Sequence, residues 1–374
     1  MGKHTLLCED QDTKTVSENP VTQVVALIPA WNEEESIAGT IESLLKQSSP
    51  LDRIVVVVNN TTDDTAAVAE RAGAEVIIMD DNVHKKAGAL NYGLDALEKY
   101  LDESAAILVM DADTRVDPDF VKVAVDTIGQ SDFIGGVSSI FVGRQSDSIL
   151  GRMQEMEYYR YRREIHRRGD RAFVISGTAS LIRWSALRRV KEERQLAELL
   201  PKGGSYYDVV SLTEDNELTL ALLTLGYQCP APGVVSVTDV MEDVKSLYHQ
   251  RKRWYLGAID NLWNYGRKLP WFLRSTYWRQ QVGLVFAVVT TAIIWLSFFI
   301  ALFIRAIGFS WFFAVLLGLH LFERTITVWN MGWRYRLISL SYIPELSYSL
   351  LLLGIYVSSV VDKCRGRSGS WQHT

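Results

Sequence analysis

The chain has 374 residues, enough for one large domain or two modest ones, and a formal net charge of −5. That charge gives no global attraction to nucleic acid, so nucleic acid is not an expected partner. Hydrophobic residues make up 48% of the chain, but nearly all the long apolar runs follow Arg279.

The segment 1–20 is polar and mixed in charge, and it lacks the basic stretch and apolar core of a secretory signal. The three cysteines, Cys8, Cys229 and Cys364, are odd in number and far apart. They suggest neither a disulfide framework nor a zinc cluster and suit a reducing, cytoplasmic setting. From residue 21 the pattern alternates. Buried-strand runs at 24–28, 54–58, 76–79 and 107–110 are separated by helical patterns at 34–47, 64–72 and 87–100. Continuous apolar strands separated by helices predict a parallel sheet covered on both faces, an α/β fold. Ligands of such sheets bind beyond the carboxyl ends of the strands.

From 243 to 280 aromatic residues interleave with basic ones, among them Tyr248, Arg251, Lys252, Trp254, Trp263, Arg267, Trp271 and Arg279. This is the composition of an amphipathic segment at a membrane–water boundary. Val282 to Ile304 then contains no charged residue, and about 23 helical residues cover roughly 35 Å, enough to cross a bilayer. Further apolar runs at 306–322 and 343–361 make the region 281–361 a transmembrane region of about three spans, followed by a basic tail at 362–374. Basic residues before the first span place the soluble domain in the cytoplasm of an integral membrane protein. Three spans would put Lys363, Arg365 and Arg367 on the far side, against the same bias; two spans and a re-entrant segment would not. A further run of arginines, from Arg160 to Arg171, reads as a helix with a basic face toward anionic headgroups or solvent.

Polar residues follow the predicted strand ends. Pro29, Ala30, Trp31, Asn32 and Glu33 follow the first, Asn59, Asn60 and Asp63 the second, and Asp111-Ala112-Asp113 the fourth. Two carboxylates one residue apart at a strand end call for a cation, and a divalent ion on a diphosphate supplies one. His84 to Asn91 opens a helix with Lys85, Lys86 and Gly88, suited to phosphate approach or to a plain surface turn. Thr213-Glu214-Asp215 starts a helical pattern, so Thr213 reads as a cap and Asp215 either as a dipole partner or as a general base. Gln250 to Trp254 opens the boundary segment, as interfacial anchors or as a diphosphate clamp with an aromatic platform.

Taken in order, Pro29-Ala30-Trp31-Asn32-Glu33, Lys86-Ala87-Gly88-Ala89-Leu90-Asn91, Asp111-Ala112-Asp113, Ser176-Gly177-Thr178, Thr213-Glu214-Asp215 and Gln250-Arg251-Lys252-Arg253-Trp254 resemble the processive family-2 glycosyltransferases. Hyaluronan, chitin, cellulose and poly-N-acetylglucosamine synthases form that branch. The resemblance covers about residues 22 to 260. It implies a GT-A-type, Rossmann-like domain over 21–242, a nucleotide-sugar donor (a UDP-linked hexose or N-acetylhexosamine), inversion at the anomeric carbon, and Mn2+ or Mg2+. By the same resemblance Asp113 would hold the metal with Asp111. Pro29, Ala30, Asn32, Glu33, Asn59, Asp63, Lys86, Gly88, Asn91, Asp111, Gln250 and Arg253 would line the donor. Gly177, Thr178, Glu214 and Trp254 would lie along the acceptor, and Asp215 would take its proton. Asn59 or Asn60 stands where the family usually has an Asp at the nucleotide base, which loosens the uridine expectation.

The expected partners are the donor, a glycan or lipid-linked acceptor, membrane lipids and, in keeping with many such enzymes, a second copy of the chain. Two rivals remain on residues alone: single addition to a polyprenyl phosphate or other lipid, and a catalytically silent assembly subunit. The latter should have lost acids, yet Asp111, Asp113 and Asp215 are all present.

Overall fold

The computed structural model describes residues 20–304, 308 and 311–366. The polar segment up to residue 19 with Cys8, and Arg367, lie outside the described residues.

The first part alternates as the apolar runs predict: β1 (Gln23–Ala30), α1 (Ile37–Leu45), β2 (Arg53–Asn59), α2 (Thr65–Arg71), β3 (Glu75–Met79), α3 (Lys85–Leu97) and β4 (Ala105–Met110). These strands pair in parallel in the order β3-β2-β1-β4. All six residues of β4 are buried, as are Val24 to Ala30 of β1. Such runs arise because alternate side chains enter different cores. Val25, Leu27, Val55 and Val57 join Leu90, Leu94 and Leu97 of α3 on one face. Val24, Ala26, Ile28 and Val56 join Ile37, Ile41 and Leu44 of α1 on the other. Each fully buried aliphatic side chain contributes about 1.5–3 kcal/mol, so the parallel unit is a firm platform for its loops.

Next come β5 (Arg115–Val116), α4 (Phe120–Ile128), β6 (Gly136–Ser138), β7 (Ile140–Gly143), α5 (Ile149–Arg167), β8 (Ala179–Arg183), α6 (Trp184–Gln195), α7 (Glu214–Thr224) and β9 (Val235–Thr238). Here the sheet changes direction. β8 pairs antiparallel with β4 and β6 with β8, while β5, β9 and β7 make a separate three-stranded sheet. The register Met110↔Ala179 has a direct consequence. The residue leaving β4 meets the residue entering β8, and the Asp111 amide donates to the Thr178 carbonyl at 3.1 Å.

Five helices follow: α8 (Val244–Tyr265), α9 (Trp271–Phe303), α10 (Trp311–Thr327), α11 (Trp333–Ser341) and α12 (Ile343–Cys364). The segment 243–280 is not one boundary element. Asp243 caps α8 by accepting from the Lys245 and Ser246 amides, and Leu247, Leu256, Leu262 and Tyr265 of α8 are buried. Among the described residues, two helices are long and apolar enough to cross a membrane, 271–301 and 343–364. α10, with 17 residues, falls short of that measure. Arg160 of α5 is not directed to headgroups: it donates to Thr327 at 3.0 Å and to the Glu345 carboxylate at 2.7 Å, because α5 packs against the carboxyl-terminal helices.

Candidate active site

The loops after β1 and β2 fasten to each other. Asn32, in the left-handed region at φ 53°, accepts the Thr62 amide at 2.9 Å, and the Glu33 amide donates to the Thr65 hydroxyl at 2.8 Å. Asp63 accepts from the Thr65 and Glu34 amides. Asn59 is buried, donates to the Ala30 carbonyl at 3.0 Å and accepts from Asn82. Its side chain ties the end of β2 to the end of β1. Pro29 lies inside β1 beside Val57.

Two other expected donor contacts also have partners within the chain. A methyl group on Gly88 would come within 2.3 Å of the Asn82 side-chain oxygen, so the glycine admits the turn before α3. Asn91 donates to the Tyr207 carbonyl and accepts its amide, both at 2.9 Å, which commits the amide to a loop 116 positions away.

Lys86 is the hub. Its ammonium lies 2.6 Å from Asp111 and 3.0 Å from Glu214. Burial works against its charge, but Asp111, Glu214 and Asp215 outweigh that and hold it protonated well above its ordinary range. In this arrangement Lys86 is not a free phosphate ligand and Glu214 is not a free acceptor ligand: each neutralises the other. Burial would raise the Glu214 carboxyl, yet Lys86 and Arg253 together bring it below its usual range.

Asp113 has the opposite surroundings. Burial first, then Asp111, Glu33 and Asp239, push its carboxyl up to about 7. The Thr114 hydroxyl donates to it at 3.1 Å, and among the described residues no cation pairs with it. Nor do three or more His, Cys, Asp or Glu side chains form a ready metal shell among the described residues. Magnesium-type ions are commonly held by one or two carboxylates, with substrate phosphates and water completing the set. A half-buried acid crowded by three others, with no cation pairing it among the described residues, fits such an ion, with Asp113 as its first ligand and Asp111 beside it.

Asp215 lies in the first turn of α7. It accepts the Gly177 amide at 3.1 Å and the Asn216 amide at 2.7 Å. Burial and the Glu214 charge raise its carboxyl to about 6 against the pull of Lys86, the Asn216 amide and Arg253. Gly177 packs closely here: a methyl group would sit 3.0 Å from the Lys86 nitrogen and 3.1 Å from the Asp215 oxygen, so those side chains would have to shift by a few tenths of an ångström. Thr178 joins Ser176 and Ser236 through its hydroxyl, at 2.6 and 2.9 Å, and holds Asp111 through its carbonyl.

Thr213 does not cap α7 with its side chain. Instead α8 holds it: the Asn261 amide donates to the Thr213 hydroxyl at 3.1 Å, to its carbonyl at 3.2 Å and to Asn216 at 3.0 Å. A methyl group on Gly257 would fall 2.3 Å from the Thr213 hydroxyl. Gly257, Asn261 and Asp239 escaped the sequence reading. The spacing Arg253, Gly257, Asn261 puts three residues on one helical stripe, which is the signal that could have found the first two. Arg253 bears on Lys85, Glu214 and Asp215 through its charge. Gln250 is buried, and its side-chain oxygen has no partner among the described residues. Trp254 is half-buried, with the Arg251 guanidinium 4.4 Å from its ring centre.

Residues 25–191 match the family model Glycosyl transferase family 2. The chain is 26% identical over 244 residues to a poly-beta-1,6-N-acetyl-D-glucosamine synthase of Staphylococcus epidermidis, covering 63% of this chain and 54% of that protein. It is likewise 26% identical over 273 residues to a probable glucomannan 4-beta-mannosyltransferase 3 of Oryza sativa subsp. japonica, covering 68% and 46%. The chain thus spans about half the length of the curated relatives it matches. Among solved structures, the mannosyltransferase PcManGT from Pyrobaculum calidifontis, in complex with GDP-Man and Mn2+, aligns with a TM-score of 0.60 at 18% identity over 94% of this chain and 90% of that one. The mixed sheet, with its carboxylates beyond β4, has the GT-A fold of that mannosyltransferase, and residues 25–191 of the chain are similar to the family-2 glycosyl transferases.

Proposed function

We propose that the protein transfers a sugar, with inversion, from a UDP-linked hexose or N-acetylhexosamine to a hydroxyl of a glycan at a membrane, and so extends a polysaccharide or oligosaccharide. The observation that carries this reading is the division of acids around Lys86. Asp113, without a counter-charge, is suited to a Mn2+ or Mg2+ ion on the donor diphosphate. Asp215, held by two amides and raised to about 6, is suited to take the acceptor proton near neutral pH. The ion would stabilise charge on the departing nucleotide when bound. Asp111 keeps Lys86 in place on that side, and Arg253 adds positive charge near the base.

The name of the staphylococcal relative supports N-acetylglucosamine as a donor sugar, and GDP-Man in the archaeal structure makes guanosine the first alternative base. Asn59 supports neither choice, because its amide is committed to Ala30 and Asn82. Trp254, beside Arg253, is proposed as the acceptor platform. The apolar helix α9, with Phe286 67% and Phe303 88% exposed, supports membrane placement, with the catalytic domain on the cytoplasmic face.

Purified protein with Mn2+ and a panel of UDP- and GDP-sugars tests the reading, with released nucleotide and product length both measured. UDP release with products longer than one addition is expected. Release from GDP-sugars alone would overturn the donor, and products of one addition on a lipid would overturn extension.

A further inference from the structure

The helix α12 is apolar enough to cross a bilayer, yet both of its ends are bound to the catalytic domain. In its first turn Glu345 is 3% exposed. It pairs with Arg160 of α5 at 2.7 Å and with Arg324 of α10. Tyr348, one turn on, donates to Glu157 of α5, the same carboxylate that Arg251 of α8 reaches at 2.9 Å. In its last turn Asp362 pairs with Lys252 and Lys363 with Asp260, both on α8. Asp260 precedes Asn261, which holds Thr213 beside the base Asp215.

A spanning helix must separate its ends by about 30 Å of hydrocarbon, with one end on each side. Here the first-turn partner lies on α5, whose Tyr158 packs on Phe141 of the small sheet at 4.8 Å, and the last-turn partners lie beside the active site. Placing charged pairs such as Lys252–Asp362 in hydrocarbon would also be costly.

The preceding helices behave differently. α9 departs from the domain at Tyr277, which donates to the Phe173 carbonyl, and no residue of its apolar window is buried. The chain is back at the domain by Arg324 and Thr327, where Arg160 donates to the Arg324 carbonyl at 3.1 Å and the Thr327 hydroxyl at 3.0 Å. Between them lies 282–322, with Arg305 as its one charged residue.

We infer that the surface facing the bilayer is formed by α9 and α10, that the chain enters it before α9 and leaves it after α10 on the catalytic side, and that α12 lies along α8 on that same side up to Cys364. This rests on the membrane placement proposed above. It also removes the charge conflict: Lys363 and Arg365 then stand with the other basic residues on the catalytic face, as the positive-inside bias requires.

Native Cys364, exposed at the end of α12, is a ready reporter, whereas Cys229 is buried. The full chain carrying Cys8→Ser is expressed in a bacterial host and treated with a membrane-impermeant maleimide in intact spheroplasts and in inverted membrane vesicles. A second variant adds Asp147→Cys, at a fully exposed position of the catalytic domain, as the side marker. Gly366→Cys provides a second terminal thiol should Cys364 react slowly. The expected result is that both terminal thiols are labelled with the marker in inverted vesicles and protected with it in spheroplasts. Terminal labelling from the side opposite the marker overturns the inference and leaves the proposed reaction standing. Release of the chain by alkaline carbonate overturns the membrane placement itself.

Discussion

Burial raises the pKa of two acids on either side of Lys86 and its partners, and they differ in what surrounds them. Asp113, beyond β4, is pushed to about 7 among Asp111, Glu33 and Asp239. Asp215, on α7, reaches only about 6, because Lys86, Arg253 and the Asn216 amide partly offset burial and Glu214. Among the described residues no cation pairs with the first group, whereas the second has Lys86 and Arg253 acting on it. Lys86, touching both sides through Asp111 and Glu214, keeps the two environments separate. The same residue type is thus placed in two different electrostatic settings by changing the neighbours, as the two proposed tasks require.

The harshest way to break this comparison is Asp113→Ala. It removes the principal proposed metal ligand, and Mn2+-dependent transfer should fall by roughly 10³-fold or more, measured as released nucleotide at saturating donor. Full activity would remove Asp113 from the metal side.

Asp215→Asn should lower kcat by roughly 10²–10⁴-fold, the usual contribution of a general base. The pH profile sharpens the assignment. A base works deprotonated, and this carboxyl is raised to about 6, so wild-type kcat should climb as pH rises through about 6 and level off above it. The Asp215→Asn enzyme should lose that limb. An unchanged acidic limb in the variant would give the titration to another group.

Asn261→Ala probes the link from α8 to the base. It deletes the three contacts to Thr213 and Asn216 and should cost about 1–3 kcal/mol of stability. Loosening the Asp215 loop should lower kcat by about tenfold while the KM for donor stays nearly constant. A change in donor KM alone would show that Asn261 acts elsewhere.

The smallest effect on donor chemistry is expected from Trp254→Ala. Donor hydrolysis should stay within about threefold while products shorten, compared at matched amounts of folded enzyme. Products of normal length would make Trp254 a packing residue against Arg251.

The parallel half of the fold was legible because its strands are Val- and Ile-rich runs buried on both faces, a pattern carried by each segment alone. β8 and β6 were not, since Ala-Ser-Leu-Ile-Arg and Gly-Val-Ser become strands only by pairing with β4 and each other across long sequence separations. The same limit applies to the site. The positions of Asp111, Asp113 and Asp215 at element ends follow from local pattern, whereas the contacts of Asn59, Gly88 and Asn91 with Ala30, Asn82 and Tyr207 involve partners that no local pattern reveals. Composition alone also left open what the basic and aromatic residues of α8 meet. Arg and Tyr that would suit headgroups here meet Glu157, Tyr158 and Tyr348.

Calorimetric titration of UDP into wild type, Asp113→Ala and Asp215→Asn, each with and without Mn2+, tests the division of labour most directly. The account predicts that Mn2+ tightens UDP binding equally in wild type and Asp215→Asn and leaves Asp113→Ala unaffected. Mn2+-enhanced binding retained by Asp113→Ala, or lost by Asp215→Asn, would contradict it.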